Sequence, residues 1–388
     1  MPASREILGR LVAFPSLAGT PNHAIADWIA DLLADAGAEV VRLPRADGAR
    51  MGLVARIGPA VAGGVVLSAH MDVVPVAGQA WSRDPFTLHA EGGRLFGRGT
   101  ADMKGFLAAA LDAALSAALG AARAAGQGLL ARPLTLVLSY DEEIGCRGIA
   151  EMAPRLASLL PAPALVLVGE PTSMRIVTGH KGKIALDAVC TGEAGHSARA
   201  PLHMNALHLG ADFLGLLRAV QARIAQGGAR VPGYEVPHAT VHAGTMAGGA
   251  ALNIVPERCE IGFEIRHTAA EDPDAILSEI RAGAAAIVAA ARHPAAAISL
   301  SERARYPGLE TPPDAEAVSV LRAVLPAGTR VTRVDYGTEA GFFAALGWPA
   351  LVCGPGSMAE AHRADEWLKE SQLAACEAML VRLVATLR

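Results

Sequence analysis

Two different hydrophobic patterns divide this sequence. Four short runs consist of Val, Leu and Ala, except for Thr135 and Cys353, which is typical of strands buried on both faces of a parallel sheet. They lie at residues 65–67, 134–138, 164–168 and 350–353. Between them are longer Ala- and Leu-rich segments with helical spacing, such as 24–36 and 371–387. Residues 184–190 instead alternate apolar and mixed positions, as a half-buried strand does.

The middle of the chain has its own order of predicted elements. This order is strand, helix, two strands, helix and strand, which is the split ferredoxin-like pattern. The segments are 184–190, 205–224, 239–245, 257–266, 274–292 and 297–304. We therefore predict an α/β protein with a mainly parallel sheet, formed by residues 1–180 and 306–388. Residues 181–305 would be an inserted, smaller α+β domain.

Composition excludes several classes of partner. The chain has 388 residues, 52% of them hydrophobic, and a net charge of −4. No basic cluster stands out, so nucleic acid is not an expected partner. No run of about 18 apolar residues predicts a membrane span, since polar residues interrupt even the Ala-rich stretch 107–131. Arg5, Glu6, Arg10 and Pro15 interrupt the apolar residues of the first twenty positions, so no signal peptide is expected. Together with the five scattered cysteines, this predicts a cytoplasmic protein without disulfides.

Polar residues of metal-binding type follow the four apolar runs. Because the carboxyl ends of parallel strands meet at one edge of a sheet, these residues should converge there. In chain order they are His70 and Asp72, Asp141, Glu142 and Glu143, Glu170, and His362 after a short loop. Asp102 follows a Gly-rich turn and is expected to join them.

Two histidines and several carboxylates, without cysteine, suit zinc or a similar divalent ion with water in an open position. A carboxylate shared by two ions would make a dinuclear hydrolytic centre. Asp72 lies two residues after His70 and could accept its second ring N–H. One of Glu142 and Glu143 could remain free as a general base, since neighbouring residues of an extended segment point in opposite directions.

Each of these residues has an ordinary structural explanation when taken alone. A His-x-Asp at a strand end can be a polar loop, the Asp-Glu-Glu a solvated turn, Glu170 a helix cap and His362 a surface residue. Five such junctions in one chain favour a metal centre. The Gly97–Thr100 turn lacks the spacing of a dinucleotide loop and the Gly-Lys of a phosphate loop, which disfavours a nucleotide-binding protein.

Several longer segments resemble a known family, the co-catalytic zinc aminoacylases, deacylases and carboxypeptidases. The segments are SAHMDVVPVAGQAWSRDPF, GRLFGRGTADMKG, YDEEIGCRG, VGEPTSM, GHSARAP, ALNIVPERCEIGFEIR, YGTEAGFF and VCGPGSMAEAHRADEW. The resemblance covers about Ile7 to Leu373. It implies two divalent metal ions, with zinc ahead of cobalt, and hydrolysis of the amide bond of a small N-acyl amino acid. It also implies a homodimer.

The resemblance also implies which residues hold the metal ions. His70 and Glu170 would bind one ion, while Glu143 and His362 would bind the other. Asp102 would bridge the two.

The resemblance assigns roles to five further residues. Asp72 would orient His70, and Glu142 would be the general base. In the inserted domain, His196 would stabilise the oxyanion in the partner subunit's site. Asn253 and Arg266 would hold the carboxylate of the substrate. The insert would then be a dimerisation and lid domain.

Some questions stay open at the level of sequence. The acyl group is not determined, so a desuccinylase, another N-acyl amino-acid hydrolase or a dipeptidase are alternatives. A non-catalytic binding protein on the same fold would be expected to lack Glu142 or a metal ligand, and none is missing. Glu339 could meet the substrate's side-chain amine or cap the helix that follows it.

Overall fold

A computed structural model describes residues 4–123 and 130–388 of the protein. The helices are α1 (Ser4–Val12), α2 (His23–Asp35), α3 (Gly105–Arg123), α4 (Arg147–Leu159), α5 (Ala206–Gly227), α6 (Pro273–Ala291), α7 (Glu316–Val324), α8 (Ala340–Ala345) and α9 (Glu370–Ala385). The strands are β1 (Glu39–Pro44), β2 (Met51–Ile57), β3 (Val65–His70), β4 (His89–Glu91), β5 (Arg94–Phe96), β6 (Leu134–Ser139), β7 (Leu165–Val168), β8 (Ile176–His180), β9 (Gly182–Thr191), β10 (Gly195–His196), β11 (Thr240–Gly248), β12 (Ile254–Val255), β13 (Arg258–His267), β14 (Ala297–Tyr306), β15 (Leu309–Glu310), β16 (Val331–Val334), β17 (Ala350–Val352) and β18 (Trp367–Lys369).

The described residues form two compact units. One consists of the described residues up to Gly179 together with Leu309–Arg333 and Thr338–Arg388, and the other of His180–Gly308 and Val334–Gly337. Each unit has its own hydrophobic core.

The first unit is built on a nine-stranded sheet with the order β1-β2-β6-β3-β7-β17-β8-β15, in which β16 also pairs with β8. The four central strands β6, β3, β7 and β17 are parallel to one another. Every residue of β3, β6 and β7 is buried, because helices cover both faces of a sheet of this kind. This is the mainly parallel α/β sheet that the apolar runs predict, and that part of the fold class is confirmed.

The register of the parallel strands places their carboxyl ends side by side. His70, the last residue of β3, lies opposite Ser139, the last residue of β6. Ser68 of β3 lies opposite Val168, the last residue of β7. The residues that follow these strands therefore leave the sheet at the same edge.

The second unit contains a four-stranded antiparallel sheet with the order β11-β13-β9-β14. Helices α5 and α6 pack against it and complete the predicted β-α-β-β-α-β pattern. In β9 and β13 buried positions alternate with partly exposed ones, so only one face of the sheet lies on the core.

Some elements differ from the sequence prediction. Strand β8 is not predicted, although it pairs with β17 and extends the sheet. The helix predicted from Met103 begins at Gly105, because Asp102 and Met103 have non-helical backbone angles in the turn before it. The continuation of that helix beyond Arg123, and with it part of the stretch 107–131, lies outside the described residues. Among the described residues, no helix has the length and hydrophobicity needed to cross a membrane.

A pair of helical glycines allows a test of the packing between α4 and β6. A Cβ added at Gly148 would lie 2.0 Å from the carbonyl oxygen of Tyr140, which accepts a hydrogen bond from the Gly148 N–H. We expect Gly148→Ala to lower the free energy of unfolding by about 1–3 kcal/mol, measured by urea denaturation. The control is Gly215→Ala in α5, where a Cβ meets nothing within 4 Å. This variant should have a free energy of unfolding about 0.5–1 kcal/mol higher than that of the unsubstituted protein. Equal changes in both variants would contradict this packing.

Candidate active site

The first unit gathers a cluster of histidines and carboxylates at the carboxyl edge of its sheet. His70 is at the centre, at the end of β3, and is 1% exposed. Its Nε2 lies 3.2 Å from Oδ1 of Asp102 and 3.9 Å from Oε1 of Glu170. Its Nδ1 lies 2.9 Å from the backbone carbonyl oxygen of Asp72. Both ring nitrogens of His70 are therefore fixed by residues that the sequence singles out.

Asp102 joins the two histidines of the cluster. Its Oδ1 faces His70, and its Oδ2 lies 3.1 Å from Nε2 of His362. The same His362 nitrogen is 3.0 Å from Oε2 of Glu143. With its two oxygens directed to different ligand groups, Asp102 has the arrangement of a carboxylate that bridges two ions.

Asp72 contacts more of the site than sequence reasoning indicates. Its carboxylate is 3.6 Å from Nδ1 of His70, so the backbone oxygen of Asp72, and not its side chain, is the nearer acceptor. The carboxylate instead accepts the backbone N–H groups of Glu142 and Glu143, both at 3.1 Å. Asp72 thus fixes the two glutamates relative to His70.

Glu142 and Glu143 face different members of the cluster. Ligand atoms of Glu142, His70 and Glu170 lie within 4.8 Å of one another, and so do those of Glu143, His70 and Asp102. Glu142 also accepts a hydrogen bond of 3.3 Å from Sγ of Cys146. The two adjacent acids therefore lie on two sides of the same cluster.

Burial and mutual repulsion shift the titration of these acids. Burial raises the pKa of Glu142 and of Glu170 well above the ordinary value, and the neighbouring carboxylates add to the effect. Burial also raises the pKa of Glu143 to about 7. Asp102 is the exception, because hydrogen bonds from His362 and His70 outweigh its burial and lower its pKa. The cluster therefore holds more carboxylates than histidines in a largely buried site.

The donor set fits divalent metal ions. Carboxylate oxygens and imidazole nitrogens are the ligands of hydrolytic zinc and cobalt centres. Among the described residues, Oε1 of Glu143 and Oε1 of Glu170 are buried polar atoms without a hydrogen-bond partner. A buried, unpaired carboxylate oxygen is costly, and a cation would remove that cost.

Two buried residues near the cluster, Glu366 and Cys146, are missed by sequence reasoning, and for a third, Glu339, it leaves the contact open. Glu366 accepts the backbone N–H of Asp102 at 3.1 Å, and the only hint in the sequence is an acid four residues after His362. Cys146 lies one helical turn after Glu142. Glu339 accepts hydrogen bonds from the hydroxyls of Ser68 and Ser139, so its side chain does not cap α8.

The second unit holds the three remaining predicted site residues. His196 and Asn253 are exposed and adjacent, since β10 pairs with β12 and the N–H of Ser197 donates to the carbonyl of Asn253 at 3.0 Å. Arg266 is partly buried near the opposite end of β13, where its Nε donates to Glu264 at 2.8 Å and its Nη1 to the hydroxyl of Tyr306 at 3.3 Å. Within this unit the structure brings His196 and Asn253 together, but not Arg266.

Fold and site together define a metal-dependent hydrolase, and comparison with known proteins places it in a family. Residues 66–386 match the family described as Peptidase family M20/M25/M40, and the chain belongs to it. An acetylornithine deacetylase from Shigella sonnei is 32% identical over 99% of this chain and 97% of its own length.

Solved structures of the same family share the fold. An M20 family metallo-carboxypeptidase from Sulfolobus solfataricus is 19% identical, with a TM-score of 0.78 over 99% of each chain. A dinuclear metal-binding M20 peptidase from Bacillus subtilis is 16% identical, with a TM-score of 0.67 over 99% of this chain and 97% of its own.

Metal binding should stabilise the folded protein. Zn²⁺ at a hundred times its dissociation constant adds about 2.7 kcal/mol to the free energy of unfolding. For a chain of this size we expect a rise of roughly 3 °C in Tm, measured by differential scanning fluorimetry of chelator-treated protein. Glu170→Gln, which removes a predicted ligand, should reduce the rise. A Tm that Zn²⁺ leaves unchanged in the unsubstituted protein would contradict the metal centre.

Proposed function

We propose that this enzyme hydrolyses the amide bond of N2-acetyl-L-ornithine to give L-ornithine and acetate, a reaction of arginine biosynthesis. The observation that carries the proposal is the convergence of two histidines and four carboxylates at one edge of the sheet. The name of the 32% identical relative supports this substrate. All five cysteines are free and buried, which supports the expected cytoplasmic location.

In this proposal His70 and Glu170 hold one divalent ion, Glu143 and His362 the other, and Asp102 bridges them. Zinc is the expected metal, with cobalt as the alternative. When bound, such ions lower the pKa of a water molecule toward about 7 and polarise a substrate carbonyl.

Glu142 is the proposed general base and acid. Glu143 is already engaged, since its Oε2 lies 3.0 Å from His362. Glu142 lies on the other side. Its backbone N–H donates to the carboxylate of Asp72, and its own carboxylate accepts a hydrogen bond from the thiol of Cys146. It would take the proton of the attacking water and return it to the leaving amine.

The layout of the second unit supports a homodimer. Strand β13 begins at Arg258, close to Asn253. Arg266 lies eight residues further along this strand, which corresponds to roughly 27 Å of extended chain. His196 and Asn253 therefore cannot meet the same substrate as Arg266 within one copy of this unit. In a two-fold dimer, His196 and Asn253 would reach the active site of the partner subunit, where His196 would stabilise the oxyanion and Asn253 would hold the substrate's carboxylate. Arg266 would bind the carboxylate in the active site of its own subunit.

The surface of the second unit also suits self-association. Strand β11 is at the edge of its sheet, and an edge strand readily pairs with another chain. Met246 on this strand is 42% exposed, and Leu252, beside Asn253, is 100% exposed. Exposed apolar side chains at an unpaired edge are typical of a protein–protein interface.

The substrate can be tested with a panel of amides. We expect the zinc-loaded enzyme to hydrolyse N2-acetyl-L-ornithine with a higher kcat/KM than N-succinyl-diaminopimelate, dipeptides or other N-acetyl amino acids. Glu142→Gln should lower kcat at least about 10²-fold while metal content stays the same. A preference for the succinyl substrate or for a dipeptide would favour the corresponding alternative. Loss of metal in Glu142→Gln would mean that the roles of Glu142 and Glu143 are exchanged.

The shared dimer site can be tested by mixing two inactive variants. His196→Ala and Arg266→Ala should each lose most activity, because an oxyanion contact or a bidentate carboxylate contact is removed. In a mixed dimer, one site has both substitutions and the other has none. Activity should therefore return on mixing and re-equilibrating the two proteins, up to half that of the unsubstituted dimer within each mixed dimer. No recovery in a confirmed mixed dimer would contradict the shared site.

A further inference from the structure

A buried ion pair connects the turn that contains Asp102 with the segment that contains His362. Arg98 is 0% exposed and Glu366 is 1% exposed. Nη1 of Arg98 donates to Oε2 of Glu366 at 2.6 Å. Arg98 begins the turn to Asp102, and Glu366 follows His362 by four residues. The pair therefore joins two segments that are far apart in sequence.

Glu366 is bound almost entirely to one turn. Its Oε1 accepts the N–H groups of Ala101 at 2.9 Å and Asp102 at 3.1 Å, and its Oε2 also accepts the N–H of Gly99 at 3.1 Å. Three backbone amides and a guanidinium thus hold one carboxylate. Such charge-assisted bonds are stronger than neutral ones, and together they fix the backbone of Asp102.

Arg98 continues the connection back to His362. Its guanidinium lies over the ring of Trp81, 4.9 Å from the ring centre, and its Nη2 donates to Oε1 of Gln79. Nε2 of Gln79 donates to the backbone carbonyl of His362 at 2.9 Å. A closed path of contacts therefore runs from Asp102 through Glu366, Arg98 and Gln79 to His362.

We propose that Glu366 is a positioning residue that sets Asp102 relative to His362 and so controls how the two metal ions bind. This inference rests on the proposed metal centre. Asp102 presents Oδ1 to His70 and Oδ2 to His362, at 3.2 and 3.1 Å. A rotation of its backbone would disturb both contacts together. Removing a group that orients a metal ligand typically lowers metal affinity 10–100-fold.

The test compares metal binding in matched glutamate variants. Chelator-treated protein is titrated with Co²⁺, and stoichiometry, affinity and visible absorption are recorded together with circular dichroism. We expect two ions per unsubstituted chain. Glu366→Gln should weaken at least one ion about 10–100-fold and change the cobalt spectrum. Glu310→Gln is the control. Glu310 lies on β15, the last strand in the order of the sheet, and accepts a hydrogen bond of 3.2 Å from Arg333.

The outcomes separate the inference from the function on which it rests. A folded Glu366→Gln protein with unchanged affinities and spectrum would overturn the positioning role. If Glu366→Gln does not fold, Glu366→Asp keeps the charge opposite Arg98 and should still weaken cobalt binding several-fold, while unchanged binding would overturn the proposal. An equal loss in Glu310→Gln would show a general stability effect and would also overturn it. An unsubstituted chain that binds no cobalt would refute the metal centre itself.

Discussion

The repulsion between carboxylates buried at one edge of the sheet is the constraint on which the rest of the structure depends. Asp72, Asp102 and Glu170 are each at most 4% exposed, and Glu142 and Glu143 lie beside them. Like charges that are buried close together destabilise the fold unless cations or hydrogen bonds compensate them. The protein supplies two histidines and a set of backbone amides, which partly compensate the charge. The remaining charge is the physical reason for a divalent metal centre.

The scaffold holds these charges in place because the strands beneath them are rigid. Strands β3, β6 and β7 are buried along their whole length and end at aligned positions. The residues after each strand can then be set by a few hydrogen bonds, as Asp72 sets Glu142 and Glu143. Sites on rigid elements are held more accurately than sites on loops.

Much of this could be predicted from the sequence, because two simple patterns carry it. Apolar runs predict the parallel strands, and a metal-type residue after each run predicts the edge at which His70 and Glu170 meet. What sequence did not predict depends on distant contacts. Glu366 accepts four hydrogen bonds from the segment Arg98 to Asp102, and no pattern in the local sequence indicates them. Strand β8 is defined by its pairing with β17, which lies about 170 residues later in the chain.

Asp72 and Glu339 show a second limit of sequence reasoning. In both cases the sequence draws attention to an acidic residue, but it does not indicate which group the side chain binds. The His70–Asp72 spacing suggests a carboxylate on the histidine ring, whereas the backbone oxygen of Asp72 takes that place. Its carboxylate is thereby left to fix the two glutamates. Glu339 lies where a helix cap is expected, yet its carboxylate binds Ser68 and Ser139 within the sheet. A carboxylate can bind any nearby donor, and only the folded chain decides which donor is near.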